Sequence, residues 1–139
     1  MIVLGVAAIV ATFAIPAYRA RVAKAHRLDA ATAILRAVQF IETVKLSQTP
    51  ESGNTPALSA GLDQAPSNGT AVYRLAVLPE SPTNGGYAIE ASPVVPGSMQ
   101  GDACGTFVID ATGLRWNRAS AATAPLDAAR SAACWAGKN

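Results

Sequence analysis

The sequence predicts an α+β chain in which one long N-terminal helix packs on a small four-stranded antiparallel sheet. Three observations carry that expectation. Met1–Ile15 holds no charged residue, and helix-forming sequence with an apolar stripe follows it. The second half breaks into short alternating runs separated by Gly, Asn and Pro. Two cysteines, Cys104 and Cys134, sit far apart near the end.

The 139 residues leave room for one modest core. Half of the chain is hydrophobic and only 14% is charged, and the apolar excess lies in the first segment, where Thr12 is the sole polar side chain. That segment fits a signal-peptide core, a truncated membrane span or a buried helix. Fifteen helical residues reach about 22 Å, short of a hydrocarbon core of about 30 Å. No basic residue precedes the run, and it flows through Pro16 into more helical sequence, which disfavours a signal peptide. A span lacking its first turn or two fits better. Pro16 removes a backbone donor and opposes the Thr12 carbonyl, so it kinks the helix or starts a new one.

From Ala20 to Lys45 there is no Gly or Pro. Leu28, Ala31, Ile34, Leu35, Val38 and Ile41 recur at steps of three or four, with Arg27, Arg36 and Glu42 opposite. The helix is expected to end near residue 47, before Thr49-Pro50, with Leu28, Leu35, Val38 and Ile41 buried under the sheet. Glu51–Thr70 is expected to be loop. Strands are expected at Val72–Leu78, Tyr87–Ala91, Phe107–Asp110 and Leu114–Trp116, with turns at Asn84-Gly85-Gly86 and Ala111-Thr112-Gly113. Ala119–Ser131 is Ala-rich, either loop or one weak helical turn.

Four of eleven basic residues, Arg19, Arg21, Lys24 and Arg27, crowd behind the apolar run, while the rest of the chain is slightly acidic. The basicity is therefore local and not a nucleic-acid footprint. The cluster is either a solvated helix face or a contact for lipid headgroups or acidic neighbours. The two cysteines lack Cys-x-x-Cys spacing; beside a membrane segment they suggest one structural disulfide, with two buried free thiols the alternative. His26 is the only histidine and lies among basic residues, while Asp102, Asp110 and Asp127 are too scattered for a calcium loop. No phosphate-binding or dinucleotide motif occurs. The expectation is no enzyme, no cofactor and no metal.

The run Met1-Ile2-Val3-Leu4-Gly5-Val6-Ala7-Ala8-Ile9-Val10, then Ala14-Ile15-Pro16-Ala17-Tyr18, resembles the type IV pilin family. Further on, Tyr73-Arg74-Leu75, Gly86 to Pro93, Asp102-Ala103-Cys104-Gly105 through Asp110 with Gly113, and Cys134-Trp135 resemble the PilE-like minor pilins of Gram-negative bacteria. The resemblance implies the type IV pilin fold, with a C-terminal D-region closed by Cys104–Cys134. It also implies that the chain begins a few residues inside the mature subunit, after a Phe-Thr-Leu-Ile-Glu-Leu stretch. Ala8 stands where the family often has a helix-loosening Gly.

On this reading residues 1–19 are the membrane and filament-core segment, and 20–139 are the amphipathic half of the helix plus the globular head. Ala7, Ile9, Ala11, Ala14 and Pro16 would pack against other helices. The implied function is a structural minor pilin of the type IV pilus, serving assembly or initiation and hence twitching motility and adhesion. Its partners would be other pilins, the inner membrane before assembly, and the assembly machinery. The implied location is the inner membrane with a periplasmic head, then the cell-surface pilus. A basic cluster outside the membrane conflicts with the positive-inside rule, so a leader would set orientation. Alternatives are a pseudopilin of a type II secretion system, and a DNA-uptake or adhesive tip pilin. The last needs a basic or aromatic head surface, toward which only Arg74, Arg115, Trp116 and Arg118 point, so nucleic acid is not the expected partner.

Overall fold

The computed structural model describes residues 2–48, 55–120 and 122–138. A single helix, α1 (Ile2–Ser47), passes through Pro16 without a break. The missing N–H of Pro16 leaves the Thr12 carbonyl without its helical donor, and the Thr12 hydroxyl donates to the Ala8 carbonyl at 2.8 Å. The Thr49-Pro50 stop lies outside the described residues.

The sequence predicts four strands; the structure has five. They are β1 (Gln64–Ala65), β2 (Tyr73–Leu78), β3 (Ala88–Pro93), β4 (Thr106–Asp110) and β5 (Arg115–Arg118), in the order β1-β2-β3-β4-β5. Every pairing is antiparallel, a plain meander. The extra strand β1 lies in the stretch expected to be loop. Two residues are too short to show alternation, and β1 exists only through its pairing with Tyr73 and Arg74. The Ala-rich stretch ends in a second helix, α2 (Ala128–Trp135), of eight residues. Asp127 caps it by accepting from the Arg130 N–H at 2.9 Å.

Side-chain caps hold the turns. Asn84 Oδ1 accepts from the backbone of Ser81 and Gly86, at 3.0 and 3.1 Å, between β2 and β3. Asp110 Oδ1 accepts from the Thr112 N–H, the Thr112 hydroxyl and the Leu114 N–H, closing the β4–β5 hairpin around Gly113. Gly105, at φ +53°, admits a close pass of β5: a Cβ there would sit 2.1 Å from the Arg118 carbonyl oxygen.

The helix buries only part of the stripe the sequence suggests, shifted toward its alanine side. Arg27, Ala30, Ala31, Ile34, Ala37 and Ile41 are buried and Val38 is half-buried. Leu28 and Leu35 are 40% and 42% exposed, which corrects the expectation that they lie in the core. The seam 27–30–34–37–41 steps by three and four, a narrow stripe, and its alanines let the sheet approach closely. The two leucines stand one residue, about 100°, off that line. Against the seam pack Tyr73, Tyr87, Ile89, Ala91, Phe107 and Ile109. A buried aliphatic or aromatic side chain here contributes about 1.5–3 kcal/mol.

Candidate functional site: the bare helix and the latched head

Every side chain of residues 2–20 is exposed. Ile2, Val3, Leu4, Ile9 and Phe13 therefore project from a helix with nothing of its own chain against it, and Ala7, Ala11, Ala14 and Pro16 lie on the same bare segment. A helix apolar all round is stable only in lipid or among other helices. α1 is long and apolar enough to cross a membrane. Ala7 and Ala11, then Ala14, offer low surfaces where a second backbone can come near.

The head is fixed to the other half of α1 by two polar contacts at the ends of the seam. At the lower end Arg27 Nε donates to Asp102 Oδ2 at 3.0 Å and Nη2 donates to Oδ1 at 2.5 Å. Arg27 Nη1 also reaches the Lys138 carbonyl at 3.4 Å, and Asp102 Oδ2 accepts from the Cys104 N–H at 3.2 Å. The hydrogen bond to Asp102 holds the Arg27 guanidinium above its ordinary pKa, outweighing burial. At the upper end the Tyr87 hydroxyl donates to Glu42 Oε1 at 2.6 Å, and Lys45 Nζ lies 4.9 Å from the centre of the Tyr87 ring. Burial first, and that bond second, push the Tyr87 phenol up.

Cys104 and Cys134 form a disulfide with a Cα–Cα distance of 5.6 Å, joining the β3–β4 connection to α2. Edge-on aromatic pairs continue inward from α2, with Trp135 to Phe107 at 5.5 Å and Phe107 to Tyr73 at 5.9 Å. The opposite face of the sheet carries a polar row. Strand register sets Arg74 across from Ser92 and Thr106 across from Arg118, and the Thr106 hydroxyl donates to Ser92 Oγ at 3.3 Å. Arg118 pairs with Glu90, and Trp116 lies opposite Val108 on the same face. No cluster of metal-ligating side chains occurs among the described residues.

A family model described as "Type IV minor pilin ComP, DNA uptake sequence receptor" matches residues 16–108, more than half of the chain. The chain belongs to this ComP family of type IV minor pilins. Searches of curated proteins and of solved structures gave no match. In this ComP-family pilin the matched stretch opens at Pro16 and takes in both ends of the latch, the first three strands and the start of β4. A long helix on an antiparallel sheet with a C-terminal disulfide is the pilin-like α+β fold.

Of the residues singled out from the sequence, the structure joins Cys104 to Cys134 and buries Ile41, while Leu28 and Leu35 flank the seam. Arg74, Trp116 and Arg118 share the outer sheet face; Arg115 leaves it and lies 5.5 Å over the Trp135 ring. One expectation about helix polarity is corrected. Arg27, placed opposite the stripe, lies in the seam at 5% exposure, because Asp102 supplies its counter-charge. Glu42 is exposed, as expected, and its carboxylate meets the head through Tyr87. Sequence reasoning missed the Arg27–Asp102 pair, and no local signal joins positions 75 apart. The Ala-rich stretch, expected to be loop or one weak helical turn, leads into the two-turn α2, for which Asp127 was an available cap signal.

Proposed function

We propose that this minor pilin enters a type IV pilus through the first half of α1, and that it serves pilus assembly and hence twitching motility and adhesion. The bare apolar segment Ile2–Tyr18 carries the proposal: a head this small offers it no cover, so it rests in the inner membrane before assembly and among other pilin helices afterwards. Other pilins and the assembly machinery are its partners, with the head on the periplasmic side. A charge placed at Ile9 tests this. Ile9→Asp should block incorporation into pili while the head still folds, and loss of the gene should reduce surface pili and twitching. Assembly of Ile9→Asp into fibres, with full motility in the deletion strain, would overturn the assignment.

A second reading is favoured by the family's description as a DNA uptake sequence receptor and by the outer-face row. Arg74 and Arg118 end that row with half-buried Ser92 between them, side-chain types that hydrogen-bond phosphate oxygens, while buried Thr106 supports Ser92. Under this reading the head holds duplex DNA across β2–β5, replacing the expectation that nucleic acid is not a partner. Glu90 competes for Arg118. Glu90→Gln should therefore tighten DNA binding, and Arg74→Gln with Arg118→Gln should weaken it and flatten its salt dependence by about two counterions. Anisotropy with labelled duplex and full-length protein in detergent reads both; equal affinity in all three proteins would reject it.

A further inference from the structure

The base of the head is sharply marked on α1. Below it every side chain of residues 2–20 is exposed; Val22 and Ala23 are the first to be half-buried, and Arg27 is the first buried. Gly137 packs there, so close that a Cβ would meet Leu28 Cγ at 3.0 Å and Lys24 Cγ at 3.1 Å. Arg19, Arg21, Lys24 and Arg27 fall around this boundary, and none of residues 1–28 is acidic. The fold divides the four. Arg27 turns into the seam and is neutralised by Asp102. Arg19, Arg21 and Lys24 remain exposed and make no ion pair among the described residues. By helical geometry they leave the rod in different directions, at about 0°, 200° and 140° from the first.

We propose that Arg19, Arg21 and Lys24 form a collar that seats the unassembled subunit on a bilayer surface carrying anionic phospholipid headgroups. This rests on the reading of the first half of α1 as membrane-seated. Three observations favour lipid as the occupant. The cations follow directly on an apolar segment whose only uncovered course is through hydrocarbon. Arg19, Arg21 and Lys24 are all exposed, and their long stems carry the charges into the headgroup layer while the helix below stays in hydrocarbon. Tyr18, 70% exposed, precedes Arg19, and an aromatic ring next to cations is the side-chain chemistry of a membrane interface. The inward turn of Arg27 leaves Arg19 and Arg21 on the rod below the head and Lys24 at its base, pointing to several sides, as a planar anionic surface around a helix requires.

The test distributes full-length protein between two separable vesicle populations, one of pure phosphatidylcholine and one with a quarter phosphatidylglycerol, equilibrated through mild detergent. Native protein should favour the anionic vesicles at least tenfold, on an expectation of about fivefold per cation. The bias should fall near unity in Arg19→Gln/Arg21→Gln/Lys24→Gln and in high salt, with both proteins still resisting carbonate extraction. Equal distribution of the native protein, or an undiminished bias in the triple variant or in high salt, overturns the collar and leaves acidic faces of neighbouring subunits as its partner. Release of the native protein from both populations by carbonate would overturn the membrane-seated reading as well. Arg27→Gln serves as the contrast: it should lower thermal stability and leave the vesicle bias unchanged.

Discussion

Arg27 on α1 and Asp102 in the β3–β4 connection meet through two hydrogen bonds across 75 positions of sequence, two residues from the cysteine that closes the head. The pair converts a helix that touches a sheet into one fixed in register along it, because a bidentate guanidinium–carboxylate contact tolerates little sliding.

Removing one partner should cost far more than removing both. Asp102→Ala takes the bidentate carboxylate from a buried guanidinium and should lower unfolding free energy by about 3–5 kcal/mol. Arg27→Met combined with Asp102→Leu should recover most of that. Urea denaturation of the three proteins gives the comparison; equal losses in single and double variants would show the pair to be inert.

The seam predicts an unequal response along the helix. Ile34→Ala should cost about 2–5 kcal/mol, since Ile34 is wholly buried. Leu35→Ala, at a flank, should cost less than about 1 kcal/mol. Matching midpoint shifts in thermal melts would mean that the helix is rotated relative to the sheet.

Native protein should show no labelling of Cys104 or Cys134 without reductant, because both are in the disulfide. Cys104→Ser should lower stability by about 3.5 kcal/mol, the closure entropy of a loop with a sequence separation of 30. Rapid stoichiometric labelling of the native state would contradict the bond.

Alkali should unfold the head in a defined way. Burial raises the phenols of Tyr73 and Tyr87 above their ordinary value of 10.0, Tyr87 with help from Glu42. The folded state thus favours the neutral rings. Their contribution is intact below pH 10.0 and is lost as pH rises beyond it, once the unfolded chain sheds protons that the folded chain retains. The melting temperature should therefore fall above that pH, less steeply in Tyr87→Phe. A flat profile in both proteins would remove the role given to the rings.

Much of the fold was legible because it follows local periodicity. A charge-free run, a three-four stripe and turn-bounded alternation place α1 and β2 to β5 within a few residues. The exact buried face was not legible: the broad stripe contains both the Ile34 line and the Leu35 line, and the sheet chose the one lined with alanine. β1 and the Arg27–Asp102 pair depend on partners distant in sequence, which no window contains. The apolar segment of the candidate site was plain from composition. The outer-face row was not, since Ser92 and Thr106 gain meaning only through strand register.

The bond between Cys104 and Cys134 also decides how the molecule yields when it is pulled. In the pilus proposed above, tension would load the subunit through its helix, and a head that unravels would lengthen by whatever chain it releases. The covalent loop withholds about 30 residues from that release, roughly 100 Å of extension. Rupture of the latch can then free the strands before Cys104, while β4, β5 and α2 stay tied as a knot that stretching alone does not undo.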